Sequence, residues 1–91
     1  MHAVVVSVNI TDPEPATQYL RETIVPRVSQ APGFVAGYWV RLEDANEGNS
    51  VVVFESEDAA RAIAEQIRAT VGDNPGVTLD KVMVGEVVAN A

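Results

Sequence analysis

The sequence predicts an α+β fold of order β-α-β-β-α-β, in which a four-stranded antiparallel sheet carries two helices on one face. Three observations predict it. Four short runs are rich in β-branched residues, at 3–10, 34–42, 51–55 and 81–88. Two longer stretches place apolar residues at helical spacing. Turn formers, in TDPEP, PGF, EDANEGNS and GDNPG, separate the runs.

The first run, AVVVSVNI, alternates on a strand so that Val4, Val6, Val8 and Ile10 form an apolar row, while Ala3, Val5, Ser7 and Asn9 form a mixed one. Asp12 then suits a helix cap, because Pro13 is favoured in a first turn and Glu14 suits its positive end. From Ala16 to about Gln30 the apolar set Ala16, Leu20, Ile24, Val28 and Ala31 lies on one face, and Pro26 predicts a kink or an early final turn. The next strand is Phe34–Leu42. Its alternation sets Phe34, Ala36, Tyr38, Val40 and Leu42 on one side and Val35, Gly37, Trp39 and Arg41 on the other. The polar residues 43–50 read as a hairpin loop onto Val51–Glu55. Ser56 caps a second helix whose buried stripe is Ala60, Ile63, Ala64, Ile67 and Val71, with Gly72 at its stop. Lys81–Val88 completes a split βαβ, ferredoxin-like arrangement. Residues 1–91 are expected to form one domain.

Two helices cover one side of the sheet, so a large apolar surface remains on the other. The strand alternation assigns Tyr38 to the helix side and Trp39 to the outer side, with Val5 and Val35. A homodimer packed sheet to sheet is the expected consequence.

Charge narrows the partners. With 13 acidic residues against 6 basic ones the net charge is −7, which disfavours nucleic acid and anionic membranes. Without cysteine there is no thiolate metal site and no cysteine nucleophile. His2 is the only histidine, so neither a histidine-based metal site nor a Ser-His-Asp triad is expected. No apolar run reaches the roughly 20 residues of a membrane helix, and MHAVVVSVNI has no basic leader, so a cytoplasmic protein is expected. Glu43, Asp44 and Glu47 lack calcium-loop spacing and read as a solvated turn.

The element order, PGF at 32–34 leading into GYWVR, and VVVFESEDAARA at 51–62 resemble the dimeric α/β-barrel superfamily, in its antibiotic-biosynthesis-monooxygenase-like branch. The resemblance spans nearly the whole chain. It implies a dimeric α+β barrel and a cleft between sheet and helices; it does not choose among cofactor-free monooxygenases, haem-degrading enzymes, ligand sensors and non-catalytic members. Haem-degrading relatives use an Asn on the first strand and a Trp and a His by the second helix. The Asn position falls at about Val6, and 57–71 holds neither Trp nor His, so haem degradation is not expected. No cofactor is expected either. An enzyme of this kind would be a cofactor-independent monooxygenase acting on an apolar or aromatic substrate.

Tyr38 and Arg27 are the polar ligand-binding candidates. The phenol either orients an aromatic ligand or is a core Tyr reaching a loop, and Arg27 either holds an anionic oxygen or keeps its guanidinium in water. Val6, Phe34, Phe54, Ile63 and Ile67 are the apolar candidates. Trp39, Arg41, Val5 and Val35 are the dimer candidates, with Trp39 as the anchor.

Overall fold

The computed structural model describes residues 1–43 and 45–91. Strand β1 (His2–Ile10) leads into helix α1 (Pro13–Tyr19), a π-helical turn (Leu20–Ile24) and α2 (Val25–Ser29). Strands β2 (Phe34–Arg41) and β3 (Glu47–Phe54) form a hairpin, α3 (Glu57–Thr70) ends in a 3₁₀ turn (Val71–Asp73), and β4 (Val77–Glu86) closes the order. The sheet runs β2-β3-β1-β4 with every pair antiparallel.

Burial separates the two faces of the sheet. Val4 and Val6 of β1, Val52 and Phe54 of β3, Val28 of α2 and Ala60, Ile63 and Ala64 of α3 form the buried cluster between sheet and helices. The row Val4–Ile10 is therefore the helix-facing row, as its uniform character requires. Ser56 caps α3, its hydroxyl accepting from the Ala59 N–H at 3.2 Å. Arg61 bonds Glu57 at 2.7 Å one turn along, which holds the exposed Glu57 carboxyl below its usual range.

Four local expectations change. Asp12 stands at the α1 cap position, but its side chain makes no capping bond; its carbonyl accepts from the Ala16 N–H instead. Strand β3 starts at Glu47 because Glu47, Gly48, Asn49 and Ser50 all pair with β1, so this polar stretch is strand and not loop. Strand β4 runs Val77–Glu86, starting four residues before the apolar run at Lys81, and its register against β1 slips by one residue between Ser7 and Val8. Asp44 lies outside the described residues.

The fourth change concerns the first helical segment. Its backbone stays right-handed throughout, and the Val25 N–H reaches back five residues to the Leu20 carbonyl. Pro26, which has no N–H to give, directly follows this wide turn. One extra residue in the turn rotates everything after it by about 100°. Val28 is buried, as its place in the apolar set requires, whereas Arg27, which regular spacing sets within or beside that face, is turned out and exposed.

The same device decides the ring question on β2. Phe34 pairs with Phe54, yet Ala36 pairs with Val53, so one extra residue, Val35, sits in a bulge. Beyond it the faces exchange. Trp39 lies opposite Ser50 and packs against the helix-side core, whereas Tyr38 lies opposite Val51 and is 69% exposed. Tyr38 is therefore not in the cleft, and neither Trp39 nor Arg41 is on the outer face. The outer face carries Tyr38, Val51, Val5 and Met83 in one cross-strand row, with Val35 and Val40 also exposed nearby.

Candidate ligand-binding cavity

A cavity of about 480 Å³ opens between the sheet and the helices, at the end where β1 stops and α1 begins. Its floor is the continuation of the core row: Val6, Val8 and Ile10 of β1, flanked by Gly48 and Ser50 of β3. A methyl group on Gly48 would stand 3.2 Å from the Val8 Cγ2, so the glycine keeps this floor low. The roof comes from both helices. Leu20 and Ile24 line it from the π turn, where a spacing of four keeps two side chains nearly in line, and Ile67 and Val71 line it from the end of α3.

Trp39 forms the wall on the β2 side. Its indole lies back along its own strand over Gly37: a Cβ added there would meet the indole Cη2 and Cζ3 at 2.8 and 2.9 Å. Residues two apart on a strand share a face, so the missing side chain of Gly37 is the space the ring occupies. Gly37→Ala is expected to push the indole toward the cavity mouth and shift the emission of the only tryptophan to longer wavelength; an unchanged spectrum would place the ring elsewhere.

Polar groups line the cavity at its margins. Arg21 of the π turn and Arg41 at the end of β2 line both this cavity and an outer groove beside it, so they stand at the boundary between the two. Thr70 spends its hydroxyl on the Gln66 carbonyl at 2.8 Å. Asn74, in the turn before β4, also lines the cavity, and its buried Oδ1 has no hydrogen-bond partner among the described residues. No group of three or more metal-ligating side chains occurs among those residues. Among the described residues no helix is long and apolar enough to cross a membrane.

Of the expected ligand-binding residues, Val6 and Ile67 line the cavity. Phe54 does not, being fully enclosed in the core with Phe34 edge-on at 6.1 Å, and Ile63 is buried beside them. Tyr38 and Arg27 are excluded by the two inserted residues described above. Trp39 and Arg41, expected at a dimer contact, line the cavity instead. Two further residues, Arg21 and Asn74, carried no periodic signal; the Gly at 37 two places before a Trp was the one local hint available.

No protein-family model matches the sequence, and no curated protein matches it. Solved structures do share its architecture. The crystal structure of SnoaB, a cofactor-independent oxygenase from Streptomyces nogalater, aligns with a TM-score of 0.74 at 16% identity, over 98% of this chain and 94% of that one. A monooxygenase from the gene ActVA-Orf6 of Streptomyces coelicolor, in complex with nanaomycin D, aligns at 0.66 and 16% identity over 98% and 92%. A dimeric ferredoxin-like protein from an uncultured marine organism aligns at 0.64 and 13% identity, over 100% and 98%. The chain shares the ferredoxin-like α+β fold of these structures.

Proposed function

We propose that the protein is a homodimeric small-molecule-binding protein that takes a small, largely apolar or aromatic ligand between sheet and helices and acts on it as a cofactor-independent monooxygenase. The observation that carries the proposal is the cavity of about 480 Å³ with an indole for one wall and valines for a floor, a size and character suited to one such molecule. The dimer is supported by the apolar outer row, since exposed patches of that kind mark contacts. The fold shared with SnoaB and the ActVA-Orf6 monooxygenase supports the reaction class.

The chemistry asks little of the protein. A ligand whose CH₂ lies between aryl or carbonyl groups loses a proton to give a stabilised carbanion, which reduces O₂; overall the CH₂ and O₂ become C=O and H₂O. Confinement away from water and a cation near the developing oxyanion are what the cavity offers. The test is oxygen uptake with a hydroxylated anthrone. Saturable uptake of one O₂ per anthrone, with kcat/KM lowered roughly tenfold or more in Trp39→Ala through lost positioning, is the expected result. Absence of any binding would overturn the proposal.

A non-catalytic sensor or structural dimer is the second reading. The specific observation in its favour is that the cavity lining, among the described residues, carries no carboxylate or imidazole to serve as a base. Saturable binding of the anthrone without oxygen uptake would select it.

A further inference from the structure

We propose that Arg21 and Arg41 form an anion clamp at the β2 end of the cavity and that Asn74 reads a hydroxyl at the β4 end, so that the ligand is a flat aromatic acid with its carboxylate and a hydroxyl at opposite ends. This rests on the cavity being the ligand site. The first observation is where the cations are. Of 6 basic side chains in a chain of net charge −7, Arg61 and Arg68 are paired on α3, while two others meet at the boundary of one cavity. Among the described residues neither Arg21 nor Arg41 has a carboxylate within ion-pair distance. Glu14 and Glu22 line only the outer groove, and among the described residues no carboxylate lines the cavity. Planar guanidinium groups match a carboxylate through paired N–H donors.

The second observation is the Asn74 Oδ1, buried at the cavity without a donor. A buried acceptor left unpaired is costly, and a ligand hydroxyl removes that cost. Whichever way the carboxamide is turned, a hydroxyl answers it, since it both donates and accepts.

The sheet supplies the ruler. Arg41 pairs with Gly48, Gly48 with Val8, and Val8 with Leu79, so one row crosses from β2 to β4. Three strand spacings amount to about 14 Å between the backbones that carry the two ends. Asn74 precedes Val77, the first residue of β4, which pairs with Ile10. The polar ends are thus held apart by the whole width of the sheet, with Trp39 and Val8 between them. A rigid fused-ring body meets both ends; a compact acid meets one.

Calorimetric titration of the full chain with 6-hydroxy-2-naphthoate, its methyl ester and 2-naphthoate tests the proposal. The hydroxy acid is expected to bind about tenfold or more tightly than the ester. Arg21→Gln and Arg41→Gln, both at exposed positions, are each expected to erase that difference. Asn74→Ala is expected to erase the advantage of the hydroxy acid over 2-naphthoate, with a thermal melt to show that it folds. Equal binding of acid and ester by the natural protein, or a preference kept in both arginine variants, overturns the clamp and leaves the cavity proposal standing. A hydroxyl preference kept in Asn74→Ala overturns the far end. Failure of every probe to bind overturns both proposals together.

Discussion

Gly76→Ala is expected to cost about 3–5 kcal/mol, a large share of the stability of a domain of this size. Three terms add. Gly76 has φ +81°, in the left-handed region that a Cβ makes costly. A Cβ there would overlap the carbonyl oxygen of Asp12, which is backbone and cannot swing aside. The Gly76 carbonyl accepts from the Thr11 N–H at 2.7 Å and the Asp12 N–H at 3.2 Å, so moving it also breaks the tie between the start of β4 and the β1–α1 connection. That connection and the adjoining Asn74 turn border the cavity, and the loss should abolish ligand binding as well. Gly72→Ala is the control: no atom lies within 4 Å of its added methyl group, and it should be neutral or slightly stabilising. Urea unfolding of the two variants decides the matter, and a Gly76→Ala midpoint within error of the natural protein would refute the role given to this turn.

Val51→Arg is expected to convert the proposed dimer to a monomer while the monomer keeps its fold. Val51 sits between Tyr38 and Val5 in the outer row, with Met83 beyond, and is 41% exposed in the single chain. A guanidinium in mid-row would be buried unpaired in each copy on association. The penalty is on the order of 4 kcal/mol, about a thousandfold in dissociation constant. Sedimentation velocity at micromolar concentration reads it directly. Should the natural protein itself sediment as a monomer there, the dimer is refuted without recourse to the variant.

The element order, the helix-facing row of β1, the cap at Ser56 and the buried stripe of α3 were all legible in the sequence, because each is a local period with no interruption. The cavity was legible only in outline. Its wall and mouth depend on two places where the chain counts one residue more than its period: Val35 in β2 and the π turn before Pro26. Alternation carried across Val35 assigns the indole to the wrong side, and 3.6-residue spacing carried across the π turn sets Arg27 within or beside the apolar face. Neither insertion has a composition of its own. Asn74 escaped notice for a different reason: its importance lies in an unanswered oxygen, which only three-dimensional neighbours reveal.

The sheet is a partition one backbone thick, and consecutive residues serve opposite rooms: Tyr38 looks out where Trp39 looks in, and Val51 looks out where Ser50 looks in. Substitutions alter one room at a time, but gaining or losing a single residue within 36–41 would trade the furnishings of both. Drift in this part of the chain is thus confined to exchanges of kind, and changes of length are pushed out to the turns.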